Sequence, residues 1–140
     1  MAEWPASKGA KDLLTAHVGV SGWQIEIGAM PDKPDRVISI NDTGGRDPNP
    51  KWMIDFPNLQ ALIRGEVSGY LDTFREGKAV KDLLLGITSL DLNGDRWVSV
   101  VLNGDLGFIG RDESMRPIFS VNFALIIEPQ VVANSNRFAL

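Results

Sequence analysis

The stretch Phe119–Ile127 constrains this chain most. Phe119, Val121, Phe123, Leu125 and Ile127 are apolar at strict alternation, with Ser120, Asn122, Ala124 and Ile126 between them. Successive side chains of a strand point to opposite faces, so this pattern is a long strand with one wholly apolar face. Such a face has to be covered by other apolar structure. Glu128-Pro129 ends the strand, since proline cannot donate to a ladder.

Two segments offer a cover. Ser7 is placed to cap a first helix through its hydroxyl. Ala10, Leu13, Leu14, His17 and Val18 then follow at helical spacing, and Gly19 is a natural stop. A second helix is expected over Ser68–Leu85, with Val67, Tyr70, Leu71 and Phe74 on one face and the stripe continuing through Val80, Leu83, Leu84 and Ile87. Gly77 weakens its interior and Gly86 closes it. Trp23–Ile27, Arg36–Asn41 and Asn58–Glu66 read as strands. Between them, Asp42–Pro50 holds two glycines and two prolines and is expected to be an irregular loop.

Asn93-Gly94 and Asn103-Gly104 both suit the type I′ turn, whose two central residues need positive φ. The second is therefore expected to fold Arg96–Leu102 back onto Leu106–Gly110, giving a C-terminal β-meander. The order is helix, three strands, helix, three strands. The fold class that follows is α+β, a mixed or antiparallel sheet packed by two amphipathic helices. Residues 1–129 are expected to form a single domain, with 130–140 an extension, disordered or docked on a neighbour.

At 140 residues such a domain buries roughly two-thirds of its unfolded surface. The absence of cysteine excludes disulfides, thiolate metal sites and a Cys nucleophile. A formal net charge of −4 argues against a broad basic surface for gripping nucleic acid. No apolar run approaches the ~20 residues that span a bilayer, and Met1–Ala10 lacks the apolar core of a signal peptide, so a soluble protein with no membrane partner is expected.

Asp42-Thr43-Gly44 is the sharpest catalytic suggestion. Aspartic proteases carry their Asp in this tripeptide and pair two such loops around a shared proton. Ile109-Gly110-Arg111-Asp112 resembles a second motif of viral members. Against this stand Asn41 before the Asp, Gly45 after the tripeptide, and a helical period where the protease has a β flap. Asp91-Leu92-Asn93-Gly94-Asp95 lacks the glycine position and closing Glu of a calcium loop. His17, the only histidine, has no cysteine to join it at a metal. No cofactor is expected. Trp23 and Trp97 fall in strands and are expected in the core; Trp52, in Lys51–Pro57, suits either core or interface.

Several blocks resemble the tail terminator-like minor capsid proteins of long-tailed bacteriophages. They are Ile38-Ser39-Ile40-Asn41-Asp42-Thr43-Gly44-Gly45 with Pro48 and Pro50, Ile63-Arg64-Gly65, Gly107-Phe108-Ile109-Gly110-Arg111-Asp112, and Arg116–Phe123 through Ile127-Glu128-Pro129. The resemblance implies an α+β fold and no catalytic residues. It implies a hexameric ring on the end of the tail tube that stops tube growth and meets the head connector, with DNA passing through the hole. A head-closure or head–tail joining role is the alternative. Implied partners are other copies of the chain, the tube protein and the connector, in a virion assembled in the host cytoplasm. The weak acidity suits a lumen that lets DNA slide without specific binding. Subunit or partner contacts are expected at Asp42, Thr43, Gly44, Gly45, Arg46, Asp47 and Trp52, and at Arg111, Asp112 and Arg116, because loops leaving the sheet are where a closed ring finds heterologous contacts.

Overall fold

The computed structural model describes residues 4–17, 22–49 and 54–129. Val18, Gly19, Trp52 and residues 130–140 lie outside them. The elements are α1 (Ala6–Thr15), β1 (Gln24–Ile27), β2 (Val37–Asn49), β3 (Ile54–Arg64), α2 (Tyr70–Leu85), β4 (Leu90–Leu92), β5 (Asp95–Leu102), β6 (Gly107–Arg111) and β7 (Pro117–Glu128). They form the expected α+β architecture, with two helices and one seven-stranded mixed sheet. Among the described residues only β1 and β2 pair in parallel, and the other ladders are antiparallel.

The alternating strand is central. β7 lies between β3 on one edge and β5 with β6 on the other. Its burial alternates along its length, with Phe119, Val121, Phe123, Leu125 and Ile127 all buried. The core joins this face to Ile38 and Ile40 of β2 and to Leu59, Ala61 and Ile63 of β3. Ala10 and Leu14 of α1 and Val80 and Leu84 of α2 cover it. Close helix approach needs small residues here. A Cβ on Gly9 would stand 3.1 Å from the Trp97 ring, and one on Gly77 would stand 2.8 Å from Leu106 Cδ1. Gly77 is therefore a packing position as well as a weak point of its helix. Trp97 is buried and Trp23 half-buried.

Four expectations are corrected. First, Asp42–Pro50 is no irregular loop: through Asn49 it continues β2, paired with β3. Register shifts between Asp42 and Gly45 and between Arg46 and Asn49 absorb the glycines and Pro48 as bulges, where an extra residue leaves the ladder without ending it. Second, Asn103-Gly104 does not make a hairpin. Asn93 and Gly94 both have positive φ and turn β4 into β5, whereas at the second site only Gly104 does. Instead β5 and β6 run end to end along one edge of β7, and the Asn103 N–H donates to Asn122 O across the gap.

Third, Ser7 does not cap α1. The cap position is Pro5, which makes no side-chain cap bond, and the helix ends at Thr15 with His17 exposed beyond it. Fourth, the apolar stripe at the start of α2 does not enter the core. Thr73, Glu76, Gly77, Val80 and Leu84 face inward. Val67, Tyr70, Leu71 and Phe74 remain exposed, Leu71 by 77%. The additional short strand β4 makes four strands after α2 where three are expected.

Candidate functional site

The sequence marks two groups of residues, and the structure sets them at opposite ends of the sheet. Asp42–Asp47 lie on the hairpin arm formed by β2 and β3, beside the C-terminal end of β7, where Asp55 pairs with Ile127. Arg111, Asp112 and Arg116 lie around the turn that enters β7 at Pro117. At roughly 3.3 Å per residue the two ends are about 33 Å apart.

On the arm, the Asp42 carboxylate reaches back to the first turn of α1. Its Oδ1 accepts the Ser7 N–H at 3.1 Å and its Oδ2 accepts the Ser7 hydroxyl at 2.6 Å. A helix start has free N–H groups and a positive dipole end, and an anionic acceptor satisfies both. Asp42 thus caps α1 from thirty-five positions away in the chain. That commits the carboxylate to holding the helix on the arm, an arrangement unlike the proton-sharing pair of a protease. Gly45 lies against the opposite strand. With φ near +131° and a would-be Cβ only 2.1 Å from Phe56 O, no other residue fits. The Arg46 guanidinium stacks over the Phe56 ring, 4.1 Å from its centre. Thr43, Gly44 and Asp47 are exposed. A cleft of about 500 Å³ opens between arm and helix, lined by Trp4, Asp42, Arg46, Pro48 and Phe56 among others.

At the other end, charged side chains hold loops together. Arg116 is only 5% exposed. It donates to the Asp112 carboxylate at 2.8 Å, to Asp32 Oδ1 at 2.9 Å and to Asp35 Oδ1 at 3.2 Å. Burial works against its charge, but these carboxylates outweigh that and raise its pKa. Burial also acts to raise the Asp112 pKa; the Arg116 N–H and guanidinium and the Ser114 N–H prevail and hold it below the usual range. Arg64, also buried, donates to the carbonyls of Pro31, Pro34 and Asp35. Burial first, and then the neighbouring Arg116 charge, lower its pKa. Arg111 donates to the carbonyls of Val67 and Met115, tying the start of α2 to the turn.

Sequence reasoning missed what lies beside this turn. Tyr70, Phe74, Phe108 and Phe119 form an aromatic cluster with ring centres 5.0–5.8 Å apart. Phe119 is its buried floor, and Tyr70, Phe74 and Phe108 are exposed at its rim. Val67, Leu71, Ile109 and Met115 are exposed apolar residues on the same segments. One signal was available: Phe108 and Ile109 are adjacent in a short strand, and consecutive strand residues cannot share a buried face.

The charges of the Arg116 turn are thus paired internally, and exposed apolar side chains lie beside it. Comparison with known proteins gives the kind of protein: residues 12–129 match the family model for the bacteriophage tail terminator protein, and the chain belongs to that family. It is thus a structural component of a phage-like tail or neck. Among solved structures, a chain in the virion of a native gene transfer agent particle shares the fold. It superposes with a TM-score of 0.67 at 16% identity, over 87% of this chain and 93% of that one.

Proposed function

We propose that copies of this chain close into a ring, hexameric as the family resemblance implies, at the head-proximal end of the tail tube. The ring ends tube polymerisation and presents a surface to the head connector. DNA passes through its lumen without specific binding. The family match across residues 12–129 carries this reading. The separation of the two loop groups supports it, since a ring needs one surface that fits a different surface on the next copy. The arm with Asp42–Asp47 supplies one side of the contact, and Trp52, outside the described residues, is proposed with it. The turn with Arg111, Asp112 and Arg116 supplies the other, its shape set by the buried guanidinium. Assembly takes place in the host cytoplasm.

Deleting the gene and imaging the particles tests the role. Overlong tubes without heads are the expected result. Tails of normal length that lack heads would place the protein at head closure and overturn termination. The mass of the purified protein, alone and on tubes, tests the ring.

A further inference from the structure

Asparagine is followed by glycine at Asn93-Gly94 and Asn103-Gly104, and every other asparagine is followed by a residue with a side chain. In an Asn-Gly pair the glycine backbone nitrogen can attack the asparagine side-chain amide, because no Cβ shields it and the glycine backbone turns freely. We infer that Asn103-Gly104 is a site of spontaneous deamidation in the folded protein, that Asn93-Gly94 is held back from it, and that the fold retains the modified chain. The step balances with water as its co-reactant. The bond from Gly104 N to Asn103 Cγ forms, the Cγ–Nδ2 bond breaks, and ammonia leaves with the Gly104 amide proton. Water then opens the cyclic imide. Opening at Cγ gives aspartate. Opening at the main-chain carbonyl gives isoaspartate, with the chain running through the former side chain.

The two sites differ in what ring closure has to disturb. Closure rotates the Cα–C bond of the asparagine. At Asn93 that bond lies inside the tight turn between β4 and β5, where φ is +53° at Asn93 and +89° at Gly94 and Leu92 pairs with Asp95. The Asn93 side-chain amide also donates to Asp12 Oδ2 at 3.3 Å. Rotation there breaks the hairpin. Asn103 and Gly104 belong to neither β5 nor β6. The Asn103 N–H is tied to Asn122 O, but it precedes the rotating bond and does not restrain it. Among the described residues neither the Asn103 side chain nor the Gly104 N–H has a hydrogen-bond partner, and both residues are exposed. The chain also has slack at this point. Leu102 pairs with Phe123 and Gly107 with Ser120, so residues 103–106 face only Val121 and Asn122. The extra main-chain carbon of isoaspartate falls in this surplus and leaves both ladders in register. Either product adds one negative charge to the formal −4, two residues from Asp105, which pairs with Lys81 at 3.1 Å.

The test ages the purified full chain in neutral and in mildly alkaline buffer, digests it with trypsin and weighs two peptides. Cleavage after Lys81, Arg96 and Arg111 leaves Asn93 as the one asparagine of 82–96 and Asn103 as the one asparagine of 97–111. In the folded protein, 97–111 should gain the mass of NH exchanged for O at least fivefold faster than 82–96, and should separate into aspartate and isoaspartate forms. The rate should rise with pH, since the attacking amide nitrogen has to lose its proton. In urea, with the turn gone, the two peptides should gain mass at similar rates. Asn103→Gln should remove the gain from 97–111. The aged chain should keep its circular dichroism spectrum. No gain in folded 97–111 overturns the site. A folded chain in which 82–96 keeps pace overturns the protection by the turn. Loss of the spectrum in step with deamidation overturns the retention of the fold.

Discussion

Two carboxylates show how environment sets the role of a residue. Asp42 accepts two bonds from Ser7 at the start of α1. Replacing a capping acceptor with alanine typically costs about 1 kcal/mol, and Asp42 is exposed, so Asp42→Ala should fall near that in urea unfolding. Asp42→Asn keeps an oxygen acceptor and loses only the charge at the helix end, and should cost a few tenths. An equal loss in both would assign the effect to charge alone. Glu76 is the opposite case. Its Oε1 is buried with no hydrogen-bond partner, and burial raises its pKa to about 7 against the opposing pull of Arg36. An acid whose folded pKa lies above its unfolded value binds more protons when folded. Its contribution is therefore most favourable below the unfolded value of 4.5 and is lost as pH rises toward 7. Glu76→Gln should remove this slope and stabilise the protein at pH 8 by on the order of 2 kcal/mol. A wild-type unfolding midpoint that stays flat from pH 4.5 to 8, once Glu76→Gln is subtracted, would refute it.

At the scale of elements, β7 was the most legible part of the sequence because one period fixed both its type and its buried face. The arm was not, because composition reports which residues tolerate a bend and not whether pairing survives it. Gly44, Gly45 and Pro48 read as a loop, yet the bulges let β2 keep its partner to Asn49. Asn103-Gly104 failed for a related reason: a turn dipeptide permits a hairpin, but the free edge of β7 offered β6 a better ladder. The N-terminal stripe of α2 has the spacing of a core face, yet it stays exposed at the rim above Phe119, since the period cannot say what it faces. The link from Asp42 to Ser7 had no local signature at all; only the fold brings them together. The arm also yields a contrast. An alanine Cβ at Gly45 would overlap the backbone of Phe56 and Pro57, whereas at Gly44, with φ near +90°, it would meet open space. Gly44→Ala should cost only backbone strain, about 1 kcal/mol. Gly45→Ala should cost several times more and speed amide exchange along 42–49 and 54–59. Any side chain at Gly45 would thus disturb the folded arm itself, so Arg46→Ala or Asp47→Lys is the cleaner probe of an assembly contact. Equal costs at Gly44 and Gly45 would show that the two strands do not meet as closely as their register implies.

For the whole molecule, the decisive property is polarity along β7. The arm and the C-terminal end of β7 lie at one end, the Arg116 turn and the aromatic cluster at the other, and the helices bury the middle. Contacts made end to end between copies would have different surfaces on their two sides, as the proposed ring requires. Each copy also carries a formal net charge of −4, while among the described residues Arg64 and Arg116 are spent inside. Identical acidic copies repel, and the Debye length falls from roughly 20 Å at 20 mM salt to below 6 Å at 300 mM. If apolar contacts such as the α2–β6 patch supply most of the attraction, added salt removes the repulsion and leaves the attraction intact. The association constant of the purified protein, measured by sedimentation or single-particle mass, should then rise severalfold across that range. Surface ion pairs between copies would give the reverse, because salt weakens them directly. A falling constant would therefore move the source of the interface from the apolar patch to the exposed charges of the arm, Arg46 and Asp47 first among them.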